Sequence, residues 1–311
     1  MSNQYIPECL GPVENPTKPK LKFPAGAWDT HFHVLGPLDQ FPYSEKRRYS
    51  PPEARLKDIL ELHDFLGIDR GIVVHANTHG KNNLPFLKAV AQSDGRYLGV
   101  VRLTRSATFT SCKRLHSLGI RGARFAFNPQ HGGTFDQAEV EHVVSKIKPL
   151  GWFVEFHLEG KTLVEMEDWL SKLSVPVIID HFGRVDIQQG VGHTEFKALL
   201  RLAECDHIWT KISGVDRISD AGYPYEDVMP FSHMLIETSP SRIIWGSDWP
   251  HTGYLEGGPT SPDDGELIDC LQWIVPDNND LQSILVSNPA RLIAMADGGA
   301  SSGFLDQESG D

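Results

Sequence analysis

The stretch AWDTHFHVLGP at residues 27–37 sets His31 and His33 one residue apart, two positions behind Asp29. On a β-strand side chains alternate faces with period two, so Asp29, His31 and His33 would share one face and Trp28, Thr30 and Phe32 the other. Two imidazoles on one strand are half of a metal site if other segments bring partners to them. Residues able to do chemistry recur at the ends of later apolar runs. They are His75, Asn77 and His79; Arg121 and Arg124; His157 and Glu159; Asp180, His181 and Arg184; Lys211, Ser213 and Arg217; and Ser247, Asp248 and His251. Singly, each has a bland reading. A strand-end histidine is more often a satisfied structural residue than a ligand, Glu159 and Asp180 can cap helices or pair with basic neighbours, and His75 and His79 read as loop or supporting residues. The set means more only if the fold gathers it.

The runs that carry these residues span 27–34, 70–77, 96–103, 121–127, 153–159, 175–183, 208–214 and 242–250. Several are nearly continuous in β-branched and aromatic residues, as in parallel strands buried on both faces. Between them, segments such as PEARLKDILELHDFLG (52–67) and KTLVEMEDWLSKL (161–173) repeat apolar residues every three or four positions, the spacing of an amphipathic helix. Eight strands alternating with helices predict an α/β fold, a (β/α)8 TIM barrel, as a single domain over residues 26–296. An open doubly wound sheet is the other arrangement considered. It would bring a glycine-rich phosphate turn after its first strand, and neither GxGxxG nor GxxxxGK[ST] occurs. Pro7, Pro12, Pro16 and Pro19 make residues 1–25 an extended arm, and the Gly/Ser/Asp-rich stretch 297–311 reads as a flexible tail.

Barrel enzymes work at the C-terminal ends of their strands. There the histidines of strands one, five and six and the aspartate of strand eight would converge on one mouth. Imidazoles with one carboxylate suit zinc or a similar divalent ion with a position open for water, whose pKa such an ion lowers to about 7.

Bulk composition narrows the function classes. The 311 residues carry a net charge of −12, from 29 basic and 41 acidic side chains, which leaves no basic footprint for nucleic acid. No run approaches the roughly 18 apolar residues of a membrane span, and the polar, proline-rich start lacks a signal-peptide core. Cys9, Cys112, Cys205 and Cys270 are scattered without CxxC spacing, which fits a reduced, cytoplasmic setting. An acidic chain that handles an anion must concentrate its arginines locally. A homo-oligomer is left open.

HxH on the first strand, single histidines on the fifth and sixth and an aspartate on the eighth resemble the amidohydrolase superfamily. DTHFHVLGP, FPYSEKRRY, the His79-Gly80 turn, RGARF, IIDHFGR, the Asp216-Arg217 pair and IWGSDWPH are similar to its lactonase branch, from about Pro24 to NPARL at 288–292. The resemblance implies a small anionic lactone as substrate, with Asp248 taking a proton from the attacking water and His181 polarising the lactone carbonyl or holding the water. It implies one Zn2+ per chain on His31, His33, His157 and Asp248, with His181 a ligand or a neighbour of one. It places Tyr49, Asn77, Arg124, Arg184, Arg217 and His251 around the substrate. Branch members that open 2-pyrone-4,6-dicarboxylate work without metal and carry tyrosine at the position of His157 and a further arginine at that of Gln130. Both departures point to the metal-dependent opening of 4-sulfomuconolactone, giving maleylacetate and sulfite. Metal-free pyrone-dicarboxylate hydrolysis, metal-dependent decarboxylation of an aromatic acid and a non-catalytic binding barrel are the rivals.

Overall fold

A computed structural model describes residues 5–127, 136–275 and 277–298, so Gln130 and most of the C-terminal tail lie outside the described residues. Eight parallel strands form one sheet in sequence order: β1 (Trp28–Phe32), β2 (Arg70–Val74), β3 (Tyr97–Val101), β4 (Ile120–Ala126), β5 (Phe153–His157), β6 (Val177–Ile179), β7 (Ile208–Lys211) and β8 (Ile243–Ile244). The sheet curls until its ends meet. Thr30 N donates to Trp245 O (3.0 Å), Asp248 N to His31 O (2.8 Å) and His33 N to Trp249 O (2.8 Å). This is the expected (β/α)8 barrel.

The crossover helices include α1 (Leu56–Leu66), α2 (Leu84–Gln92), α3 (Phe109–Ser117), α4 (Gln137–Ile147), α5 (Gly160–Leu170) and α6 (Thr194–Glu204). In α6, Phe196, Leu199, Leu202 and Ala203 recur at three- and four-residue steps and are buried. Each large side chain so buried contributes about 1.5–3 kcal/mol. Inside the barrel, Trp28, Ile72, Val74, Val100, Phe153, Ile178, Trp209 and Ile244 pack with Leu292, Ile293 and Ala296 of the C-terminal helix Asn288–Ala296. The N-terminal half of the barrel is therefore an apolar plug. Arg121, at the start of β4, belongs to that end and pairs with Asp297.

Two expectations about strands need correction. The β1–β2 register is irregular between Asp29 and Phe32, so strict alternation fails. Asp29 does not join the two histidines: its carboxylate accepts from Ser247 Oγ (2.5 Å) and meets His63 of α1 at 3.2 Å. The runs 175–183 and 242–250 are also shorter as strands than they read. Past β6 and β8 the chain enters the left-handed region at His181 (φ 50°), Phe182 (φ 54°), Arg184 (φ 45°), Asp248 (φ 63°) and His251 (φ 59°). Non-glycine residues rarely adopt it, and such conformations cluster where function demands them.

A candidate metal and hydrolase centre

At the C-terminal mouth, β1 delivers His31, the residue just past its end is His33, and the turn after β8 delivers Asp248. Asp248 Oδ1 lies 3.7 Å from His31 Nε2, 3.6 Å from His33 Nε2 and 3.8 Å from His181 Nε2. The facing nitrogens of His31 and His33 and a carboxylate oxygen of Asp248 all fall within 4.8 Å of one another, as do those of His31, Asp180 and His181. His33 Nδ1 lies 2.8 Å from the Val74 carbonyl, which fixes the proton there and leaves the Nε2 lone pair facing Asp248. Ser213 Oγ, 2.9 Å from His181 Nδ1, sets that ring. His157 ends β5 with its ring centroid 5.6 Å from that of His181. The approach of β1 to the β8 turn depends on Gly246, where a Cβ would lie 2.5 Å from His31 Cβ.

Burial keeps the imidazoles of His31, His157 and His181 neutral. It lowers His31 and His157 well below the usual histidine range and His181 to about 4, helped by Lys211 at His31 and Arg124 at His157. For Asp248, burial acts to raise the pKa. His181, His33, Arg217 and His31 around it outweigh this and hold the carboxyl well below the usual range. Neutral imidazoles beside an ionised carboxylate are the protonation states a divalent cation requires.

Behind His31 lies a fully buried charge cluster. Lys211 Nζ is 3.0 Å from His31 Nδ1, 2.6 Å from Glu155 Oε2 and 3.3 Å from Asp180 Oδ1. Arg124 joins from β4, with Nη2 3.2 Å from Asp180 Oδ2 and 3.5 Å from His31 Nε2, and Nη1 donating to the His75 carbonyl at 2.9 Å. Two cations thus offset two carboxylates where none is exposed. Breaking one such buried pair typically costs about 3–5 kcal/mol.

The mouth opens into a cavity of about 430 Å³ lined by His33, Tyr49, Asn77, Arg124, His157, His181, Arg184, Arg217 and Asp248, all residues singled out in the sequence. His251 does not line it: the ring is buried, with Nε2 3.0 Å from Asp264 Oδ1. Arg217 links the catalytic mouth to its wall, with Nη2 3.3 Å from Asp248 Oδ2, Nε 3.2 Å from Asp216 Oδ2 and its guanidinium 4.6 Å over the Tyr254 ring. Arg184 and Arg48 also line the cavity, and neither has an ion-pair partner among the described residues.

Sequence reasoning passed over Glu155 and Arg48, and read the arm as extended chain without saying which surface it covers. The signal for Glu155 was present, since one acid interrupts the apolar run FVEFH two positions before His157. The arm crosses the mouth. Cys9 N donates to Ser50 O (2.9 Å), Leu10 N to Tyr254 O (2.8 Å), and Pro7 stands in the cavity wall.

Comparison with known proteins agrees with this geometry. Residues 28–294 match the family described as Amidohydrolase. The chain is 46% identical over 291 residues to a 4-sulfomuconolactone hydrolase of Rhizobium radiobacter, covering 93% of this chain and 97% of that protein. It is 37% identical over 298 residues to a 2-pyrone-4,6-dicarboxylate hydrolase of Comamonas testosteroni, again with 93% and 97% coverage. Among solved structures, a probable 2-pyrone-4,6-dicarboxylic acid hydrolase of Acinetobacter baumannii with citric acid bound superposes with a TM-score of 0.75 at 29% identity, covering 86% of this chain and 99% of that one.

Proposed function

The chain belongs to the amidohydrolase family, and from that premise we propose that it is a zinc-dependent hydrolase opening the ring ester of a small dianionic lactone from aromatic-compound degradation, foremost 4-sulfomuconolactone. The observation that carries the reading is the cavity itself. His33 and Asp248 line it with His31 buried behind them, and two arginines without an ion-pair partner among the described residues, Arg48 and Arg184, line its wall. Two such guanidinium forks suit a sulfonate and a carboxylate. Arg124 and Arg217 are already matched to acids, so they shape the floor and hold Asp248 as much as they attract substrate.

The donors of His31, His33 and Asp248 lie close enough for one divalent ion, and the proposal adds His157, which ends β5 outside that group, as a fourth ligand. Bound there, zinc would supply Lewis-acid polarisation of the ester carbonyl and acidify water. The remaining work belongs to the chain. Asp248, held ionised, accepts a proton from the attacking water as its oxygen bonds to the carbonyl carbon. His181, neutral and oriented by Ser213, hydrogen-bonds the oxygen that gains charge. The ring C–O bond then breaks, and the proton on Asp248 passes to the leaving oxygen. With 4-sulfomuconolactone, the ring-opened product expels sulfite and leaves maleylacetate, so lactone plus water balances maleylacetate plus sulfite. A cytoplasmic enzyme goes with this reading, as the four cysteines are free and no described helix is long and apolar enough to cross a membrane.

One observation favours a second reading. Lys211 Nζ lies 3.0 Å from His31 Nδ1, and a bond donated there would put the ring proton on Nε2 and leave no lone pair for an ion, which suits metal-free hydrolysis of pyrone dicarboxylate. Metal analysis of untagged protein purified without chelator, paired with assays on both lactones, separates the two. About one zinc per chain with turnover of 4-sulfomuconolactone is expected. A metal-free protein active on 2-pyrone-4,6-dicarboxylate would replace the proposal, and carbon dioxide release from aromatic acids would move the enzyme to decarboxylation.

A further inference from the structure

We propose that Glu155 is the positioning residue that decides the tautomer of His31, holding the ring proton on Nδ1 so that the Nε2 lone pair faces the mouth. The inference rests on the zinc reading, since only a lone pair on Nε2 lets His31 ligate beside His33 and Asp248. A neutral imidazole has one N–H and one lone pair, and its neighbours choose between them. His31 Nδ1 has three: Lys211 Nζ at 3.0 Å, Glu155 Oε1 at 3.3 Å and Asp180 Oδ1 at 3.4 Å. If Lys211 donated to Nδ1, the proton would sit on Nε2 and point at the very place where the ion must bind.

Glu155 opposes that outcome with both oxygens. Oε2 makes the shortest contact of the cluster, 2.6 Å to Lys211 Nζ, and so draws the ammonium toward β5 and away from the ring. Oε1 and Asp180 Oδ1 are buried without a hydrogen bond, although Arg124 Nε approaches Oε1 to 3.4 Å and Lys211 Nζ approaches Asp180 Oδ1 to 3.3 Å. A proton on His31 Nδ1 is the donor that both oxygens lack, and a buried acceptor left without one is costly. Arg124 Nη2, 3.5 Å from His31 Nε2, is likewise better faced by a lone pair than by an N–H. Carboxylates that hold the far N–H of a ligating histidine are a recurrent support of metal sites, and their loss lowers metal affinity roughly 10–100-fold.

The test is ¹⁵N NMR of histidine-labelled, metal-free protein, with the His31 signals assigned by their loss in His31→Asn. The wild type is expected to show the Nδ1–H tautomer. Glu155→Gln, which keeps the shape but offers an amide donor, is expected to show Nε2–H and to bind zinc 10–100-fold more weakly in competition with a chelator. A wild-type His31 protonated on Nε2 overturns the proposal without need of any variant. An unchanged tautomer and zinc affinity in a folded Glu155→Gln protein does the same. If the wild type takes up no zinc, the zinc reading falls, while the tautomer comparison still decides the role of Glu155.

Discussion

Asp248 combines two demands that pull against each other: it must stay ionised while buried, and it must take a proton during the reaction. His181, His33, Arg217 and His31 meet the first demand by outweighing desolvation. The second is met because Asp248 Oδ1 is aimed at the mouth, with Oδ2 engaged by Arg217. Asp248→Asn should therefore lower kcat by roughly 10³-fold or more, as loss of a general base does, with circular dichroism unchanged. Steady-state kinetics check this, and wild-type kcat in the variant would remove Asp248 from proton transfer. The types and order of the mouth residues were legible in the sequence, because HxH, DHFGR and SDWPH each end a strand. Their backbone was not, since no pattern marks Phe182 or Asp248 as left-handed. Lys211 was read from the sequence as a strand-end residue and Glu155 was not, and the pairing of the two was not legible. Each is one charged residue in an otherwise apolar run, and only closure of the barrel shows that β5 and β7 aim them at the same ring.

At the scale of elements, the arm and the turn after β2 do work that strand counting leaves out. The arm is latched by Asp263, which accepts from Thr17 N at 2.8 Å, and by Asp269, which accepts from Lys20 N at 2.7 Å. Gly265 lets the arm pass, since a Cβ there would lie 1.7 Å from the Thr17 carbonyl oxygen. Its proline content predicted extended chain, but nothing in its sequence says which surface it covers. Removal of residues 1–10 takes Pro7 out of the cavity wall while leaving the histidines in place, so KM should rise several-fold with kcat largely retained. A fall in kcat at unchanged KM would refute that division. In the β2 turn, burial holds His75 well below the usual histidine range and His79 near 4. Both are neutral in the fold but take protons near pH 6.5 once unfolded, so their stabilisation is full above pH 6.5 and lost as pH falls toward 4. Thermal melts should show this decline, and His79→Asn should flatten it by about 2 kcal/mol over that range. An equally steep slope in the variant would show that His79 does not contribute.

Seen whole, the barrel is sealed where its chemistry sits. β8 is two residues long and pairs with β7, and the gap between β8 and β1 is bridged by the bonds from Thr30 to Trp245, Asp248 to His31 and His33 to Trp249. His31 and His33 stand on one side of that seam and Asp248 on the other. An ion shared among them would cross-link the two ends of the sheet, as the Ser247–Asp29 hydrogen bonds already do beside it. The C-terminal helix closes the opposite end with apolar side chains and gains nothing directly from the ion. Zinc at a hundred times its dissociation constant should therefore stabilise the fold by about 2.7 kcal/mol, a rise of a few degrees in Tm. The gain should be uneven: amide exchange at Thr30, His33 and Asp248 should slow more than exchange along β3 and β4, which carry no proposed ligand. Hydrogen-exchange mass spectrometry with and without zinc measures the difference. Slowing spread evenly over all strands would mean that the ion stabilises the fold without bridging the seam, and would count against Asp248 as a ligand.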